Sequence, residues 1–393
     1  MKPLGALKEQ TFTSIEELAQ EAYDLNYDLA DHPEISGKEF YACEQMCRIL
    51  ENHGIPVERS FAGIPTAFCG QVRMDPDSKV KIGILAEYDA LAEIGHGCGH
   101  CASGSLSLLA ALALHANEKD LYGNIHIIGT PDEELTGKKI DMAQAGIFDD
   151  YSFVIMIHMD MENRVKMEFM ALTAFYYKFK GRPAHASAAP WEGRNALNGA
   201  MLMIHAFDMM RQHIKPDARI HGIITKGGAA PNIIPDYVVT DYTLRYPDSR
   251  YLSQLEKMAH DCAKGAAMAT QTEVEIDHYA PTLDSLKPNP AGEQILEEVY
   301  EELGIDLATG ESENKGSSDI GNVSWRCPAF HPTLSIGDTS LTHHTRQFAA
   351  KMKEKEVIEP VITRGAQVIS LMILKVLTQP DILESIQIDF NKE

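Results

Sequence analysis

Apolar residues along the chain gather in short, nearly unbroken runs, each followed by a stretch whose apolar positions recur every three to four residues. KVKIGILAEYDAL (79–91) reads as a buried strand and GSLSLLAALALHANEK (104–119) as a helix. NIHIIGTPDEE (124–134) is a second strand, TGKKIDMAQAG (136–146) opens a helix, and SFVIMIHM (152–159) is a third strand. Strands that are apolar at successive positions are buried on both faces. Separated by helices, they predict a parallel sheet covered on both sides. The same style returns late in the chain, with a short strand in HPTLSIG (331–337) and a long amphipathic helix in EVIEPVITRGAQVISLMILKVL (356–377).

The middle of the chain is patterned differently. LTAFYYKFKG (172–181), RIHGIITKG (219–227), YVVTDYTLRY (237–246) and TEVEIDHYA (272–280) read as strands. NALNGAMLMIHAFDMMRQHI (195–214) and YLSQLEKMAHDCAKGAAMAT (251–270) read as helices. The order βαββαβ is a split βαβ, ferredoxin-like layout on an antiparallel sheet. The chain is therefore expected to hold a doubly wound, mostly parallel α/β domain (1–170 and 285–393), interrupted by an inserted α+β domain (171–284).

Composition narrows the function classes. At 393 residues two domains are the natural expectation, and 44% hydrophobic with 23% charged residues is ordinary for a soluble protein. No run of about 18 apolar residues predicts a membrane span. The first residues, MKPLGALKEQTFTSIEEL, lack the apolar core of a signal peptide, so the expected location is cytoplasmic. Seven scattered cysteines suit reduced thiols. A formal net charge of −22 argues against nucleic acid or an anionic membrane as partner.

In an open α/β sheet, ligands bind beyond the carboxyl ends of the strands. After the first strand come Glu87 and Asp89, then the turn GHGCGHC with His96, Cys98 and His100. After the second come Asp132, Glu133 and Glu134, after the third His158, and after the C-terminal strand His343 and His344. In an extended segment, residues two apart point the same way, so the histidine–cysteine alternation predicts one half of a metal site. Cys98, His100, Glu134, His158 and one of His343 or His344 make five ligands. That is too many for one catalytic zinc, and it fits two ions with a shared ligand. Glu133, beside a ligand, is placed to take a proton from water and pass it to a leaving nitrogen.

These residues resemble the dimetal aminoacylase/carboxypeptidase superfamily, metallopeptidase clan MH. The similarity is greatest to the branch of p-aminobenzoyl-glutamate hydrolases and HmrA-type amidohydrolases. The motifs run through nearly the whole chain: EYDAL (87–91), HGCGH (96–100), PDEE (131–134), IHMD (157–160), GRPAHASAAPWEGRNAL (181–197), PNIIPD (231–236), SSDIGNVS (317–324) and HTRQF (344–348). The resemblance implies that Cys98, His100, Glu134, His158 and His344 hold metal and that Glu133 is general base and acid. It implies that Glu87 is a carboxylate orienting a metal ligand. His185 corresponds to a histidine on the inserted lid domain that reaches a partner subunit's site and steadies the oxyanion. Asn232 and Arg245 stand where relatives recognise substrate. The implied ions are zinc, two per subunit, with manganese as the alternative. The implied substrates are N-acyl amino acids, aminobenzoyl-glutamate-like compounds or short peptides, and the implied assembly is at least a dimer through the lid. A dipeptidase or endopeptidase on the same site is the alternative activity. A thiol hydrolase built on Cys98 would leave Glu134, His158 and His344 without a role, and a binding protein has no need of Glu133.

Overall fold

The computed structural model describes residues 2–310 and 316–392. In chain order the first elements are α1 (Leu4–Asp31), α2 (Phe40–Asn52), β1 (Val57–Arg59), β2 (Phe68–Arg73), β3 (Lys81–Ala86), α3 (His100–Ala116), β4 (Asn124–Gly129), α4 (Lys138–Gln144), β5 (Phe153–Ile155) and β6 (His158–Asp160). Then follow β7 (Ala171–Lys180), α5 (Ala196–Met210), β8 (Arg219–Lys226), β9 (Tyr237–Tyr246), α6 (Ser249–Thr270) and β10 (Glu273–His278). The last are α7 (Pro290–Glu302), α8 (Ile320–Ser324), β11 (Ala329–Phe330), β12 (Thr333–Ser335), α9 (Arg346–Lys351), α10 (Lys355–Thr378) and α11 (Pro380–Phe390).

Two compact units emerge. One comprises Met1–Met167, Leu286–Glu313 and Asn322–Glu393, the other Glu168–Ser285 with Asn314–Gly321. The start of the SSDIGNVS motif thus packs with the second unit, although its sequence position suggests the first.

The first unit is built on a sheet of order β1-β2-β4-β3-β5-β11. The run β4-β3-β5-β11 is parallel, and β2 and β1 extend it in antiparallel fashion. The predicted strand at 152–159 divides. β5 stays in this sheet, while β6 pairs with β12 in a separate parallel ribbon, Thr333 opposite His158. Helix α3 is buried from His100 to Leu114, as expected of a helix apolar on nearly all sides. Helix α10 is long and apolar enough to cross a bilayer, but two-thirds of its apolar window is buried in this core. Because β3 lies between β4 and β5, the crossovers leave it in opposite senses, and a crevice opens beyond its carboxyl end.

The second unit has the predicted ferredoxin-like order, β10-β7-β9-β8, with every neighbour antiparallel. Helices α5 and α6 supply Met203, Phe207, Leu255 and Ala259 to its core. The edge strand β8 is exposed at Ile223 and Ile224, and α5 exposes Met201, Leu202 and Met209.

Candidate metal centre

The site forms where four strand ends of the first unit meet two turns. Gly99 makes the first turn possible. Its φ is +78°, and a Cβ there would come within 2.7 Å of Met159. Glycine alone adopts that conformation without strain, and α3 starts at the next residue. A second close approach, at Gly104, lets α3 run against the end of β3, where a Cβ would meet the Glu87 carbonyl at 2.5 Å.

The sequence expects His96, Cys98 and His100 to project together, but the turn is not extended. His96 is buried with its Nδ1 accepting the Cys101 N–H at 3.2 Å, and burial lowers its pKa to about 4. It serves the turn. Cys98 and His100 do join the cluster. Ligand atoms of Cys98, His100 and His158 lie within 4.8 Å of one another, as do those of Cys98, Glu134 and His344, and those of His100, Glu133 and Glu134. Two triads therefore share Cys98.

The protons on the imidazoles support a cation between them. His100 Nδ1 donates to Asp89 Oδ1 at 2.8 Å and His158 Nδ1 to the Met159 carbonyl at 2.7 Å. The two Nε2 atoms face each other 3.3 Å apart, a contact that needs a proton or a cation between them. Burial tends to lower His100, but the Asp89 and Glu87 carboxylates outweigh it and raise its pKa well above the usual range. Burial and the charge of His100 push His158 well below it. Burial and the adjacent Glu134 carboxylate drive the Cys98 thiol upward, so a thiolate here needs a cation. Glu134 Oε1 is buried without a hydrogen-bond partner, while its Oε2 lies 3.5 Å from His344 Nε2. A soft thiolate, imidazoles and an orphaned carboxylate oxygen suit divalent transition-metal ions.

The two C-terminal histidines separate clearly. His343 turns its Nε2 to the Met159 carbonyl at 3.0 Å. His344 joins Cys98 and Glu134, holding φ at +62°, a left-handed conformation for a non-glycine residue. Its N–H donates to the Gly97 carbonyl at 3.0 Å, which ties it to the first turn.

The carboxylate hydrogen-bonded to the His100 Nδ1 is that of Asp89, while Glu87 Oε2 lies 3.3 Å from the opposite nitrogen, Nε2. Asp89 Oδ2 also accepts from Ser36 Oγ at 2.8 Å and from the Glu134 N–H at 3.0 Å. It thus braces both triads. Glu87 instead lies against the buried Lys139, Oε1 to Nζ at 2.6 Å. Burial would raise its pKa, but the charges of Lys139 and His100 hold it below the usual carboxylate range. Asp89 is visible at the strand end in the sequence, and only register distinguishes it from Glu87. Lys139, in a helical stretch, and His331, stacked on His158 at 5.4 Å, carry no sequence signal of this role. Replacing Asp89 by Asn leaves one acceptor for His100 but sets an amide N–H against Glu134 N–H. Metal affinity should fall by about 10- to 100-fold. A chelator-competition titration checks this, and an unchanged constant would refute the bracing role.

In the second unit, His185 is exposed, and its Nδ1 accepts from the Ser187 and Ala188 N–H groups. The imidazole closes a turn, and its Nε2 is left as a donor facing solvent. Asn232 is also exposed and lies beside it, its carbonyl accepting from Ala186 N–H at 3.0 Å. Arg245 on β9 is half-buried, and among the described residues its guanidinium has no hydrogen-bond or ion-pair partner. Desolvation lowers its pKa.

Comparison with known proteins agrees with the resemblance carried by the motifs. The family model described as Peptidase family M20/M25/M40 matches residues 83–375. The chain is 33% identical over 404 residues to an Xaa-Arg dipeptidase of Mus musculus, covering 98% of this chain and 93% of that protein. It is 30% identical over 312 residues to one of the subunits of the p-aminobenzoyl-glutamate hydrolase of Escherichia coli K12, covering 74% of this chain and 64% of that protein. A dinuclear metal-binding peptidase of the M20 family from Bacillus subtilis has the same fold, with a TM-score of 0.71 at 19% identity over 92% of this chain and 99% of that one. An aminobenzoyl-glutamate utilization protein from Klebsiella pneumoniae gives 0.68 at 20% identity over 90% and 96%.

Proposed function

The chain belongs to peptidase family M20/M25/M40, and from that premise we propose that it hydrolyses the amide bond of a small substrate bearing a free carboxylate, using two divalent ions. The substrate classes are N-acyl amino acids, aminobenzoyl-glutamate-like compounds and short peptides. The observation that carries this reading is the pair of donor triads sharing Cys98 beside Glu133. When bound, the ions supply the positive charge that acidifies a water and polarises the scissile carbonyl. Cys98, His100 and His158 would hold one ion, and Cys98, Glu134 and His344 the other. The shared thiolate favours zinc, with manganese as the alternative.

Glu133 takes the proton of the attacking water and delivers it to the departing nitrogen. Asp89 keeps the His100 Nε2 lone pair aimed at the cluster. The unpartnered Arg245 guanidinium suits a substrate carboxylate, which it can bind by paired charge-assisted bonds, with Asn232 as a further polar contact. A dipeptidase is the second reading, favoured by the match to an Xaa-Arg dipeptidase along almost the whole chain.

A panel of N-acyl amino acids, aminobenzoyl-glutamate, dipeptides ending in Arg or other residues, and longer peptides separates these readings. Free-carboxylate substrates should turn over, and amidating that carboxylate should raise KM by about 10- to 100-fold, the worth of a charge-assisted pair. Equal turnover of both forms, together with cleavage of longer peptides, would make the protein an endopeptidase.

The second unit is proposed as a lid through which two copies associate. Its exposed β8 edge and the apolar side chains of α5 support a closed two-fold contact. The solvent-facing Nε2 of His185 would then serve the partner's site as a donor to the developing oxyanion, an effect of about 3–4 kcal/mol. Co-refolding His185→Ala with Glu133→Gln, each nearly inactive alone, should restore partial activity, because one mixed site regains both residues. No recovery in proven heterodimers would confine His185 to its own chain. The unpaired state of all seven cysteines supports a reducing location such as the cytoplasm.

A further inference from the structure

The turn that carries Glu133 is held from outside by residues 34–39 (EISGKE), the segment just ahead of α2. The residue on each side of Glu133 gives its backbone N–H to a buried carboxylate. Asp132 N–H donates to Glu39 Oε1 at 2.8 Å, and Glu134 N–H donates to Asp89 Oδ2 at 3.0 Å. The 34–39 segment reaches both acceptors. Ser36 Oγ donates to Asp89 Oδ2 at 2.8 Å, and Gly37 N–H donates to the same Glu39 oxygen at 2.7 Å. Ala90 N–H, bonded to the Glu34 carbonyl at 2.8 Å, fastens the segment to the chain leaving β3. Glu39 itself is 0% exposed. It stands at the cap position of α2, but its side chain runs to the 131–134 turn rather than back to that helix.

Asp132 needs such a hold. Its φ is +61°, a left-handed conformation that a non-glycine residue keeps where its surroundings fix it. Its carboxylate accepts from Thr136 N–H at 3.3 Å and its carbonyl from Gly137 N–H at 2.7 Å, which ties the turn to itself. The Glu39 bond ties it to the rest of the unit.

We propose that Glu39 is a positioning residue for hydrolysis: it fixes the entry of the turn through Asp132 N–H, as Asp89 fixes the exit through Glu134 N–H, and so sets where the Glu133 carboxylate stands. This deepens the reading of Glu133 as general base and rests on it. A reacting group misplaced by about 1 Å can cost about 10²-fold in rate, so a brace on each side has a direct consequence for turnover. Burial pushes the Glu39 carboxyl up to about 7 although backbone N–H groups pull it down. A neutral carboxyl still offers an accepting oxygen, so the brace needs an acceptor rather than a charge.

The test compares wild type, Glu39→Gln, Glu39→Leu and Glu39→Asp at saturating zinc. Metal content, kcat and KM are measured on the N-acyl amino acid or dipeptide that the wild type hydrolyses fastest. Gln keeps the acceptor and should stay within about 3-fold of wild type in kcat. Leu removes the acceptor, and Asp withdraws it by one methylene. Both should lose about 10- to 100-fold in kcat, with KM within about 3-fold and metal retained, because Glu134 stays anchored on Asp89. A brace that served folding alone would lower the melting temperature and leave kcat per metal-loaded molecule unchanged. The same substitutions are then made in a Glu133→Gln background, where their cost should shrink to within about 3-fold if Glu39 acts through Glu133. An unchanged kcat in the metal-loaded Leu variant (or in Asp, where Leu does not fold) would overturn the inference. So would a Gln variant as slow as Leu, or an equal loss with and without Glu133. If Glu133→Gln alone hydrolyses as fast as wild type, the general-base reading fails instead, and the same set of variants tells the two failures apart.

Discussion

Glu133→Gln should retain its metal and lose hydrolysis by a factor of about 10² to 10⁴, the usual loss for a general base. Glutamine has the same size and keeps an oxygen, so the turn at 131–134 is undisturbed. What it cannot do is accept a proton at the pH of the reaction and return it to a leaving nitrogen. The position is right for that task, because the Glu133 carboxylate lies within 4.8 Å of donor atoms of His100 and Glu134. The neighbouring Glu134→Gln is the internal control. Glu134 has one buried oxygen without a partner and another beside His344, so its amide should lose metal along with activity. The measurement is metal content by elemental analysis paired with kcat and KM. If both variants hold metal equally and behave alike kinetically, the division of labour between the two carboxylates is wrong.

Much of this arrangement is readable from the chain because burial writes itself as hydrophobic pattern. β9 falls on residues 237–246, as its alternation predicts, and α10 extends the predicted helix by one residue at each end. Ahead of Lys79 the pattern is fainter. Helix α1 buries Leu7, Thr11, Ile15, Ala19 and Ala22 at helical spacing, but a threonine and two alanines make a weak apolar stripe. β2 is short and interrupted by Gly70 and Gln71, and it joins the sheet in antiparallel fashion. The split of 152–159 into β5 and β6 is set by pairing with β11 and β12, which are distant in sequence.

At the site, residue type and strand-end position suffice to collect Cys98, His100, Glu133, Glu134, His158 and the pair His343 and His344. They do not say which nitrogen of a ring is free. Nor do they say that Gly99 bends the turn so that His96 faces inward to the Cys101 N–H while Cys98 and His100 face the cluster. Whether His343 or His344 belongs is decided by backbone. A left-handed φ at His344 swings its ring to Glu134 and leaves His343 on the Met159 carbonyl. That Asp89 rather than Glu87 meets the His100 Nδ1 has a similar reason, since which of two carboxylates reaches that nitrogen depends on the path of the chain after β3.

Removal of metal should have the largest effect of any single change. All the donors of the two triads come from turns and strand ends that bring a thiol, imidazoles and carboxylates together, and nothing else in the cluster could acidify a water or hold a carbonyl oxygen. A hydrolase that used Cys98 as its nucleophile would need neither Glu134 nor His344 and would be indifferent to chelation. The decisive measurement is therefore a paired determination of bound metal and amide hydrolysis on protein dialysed against a strong chelator, followed by titration with zinc or manganese. Hydrolysis should fall to background as the metal leaves and return as about two equivalents per chain are restored. Full activity in protein shown to be metal-free would contradict the account.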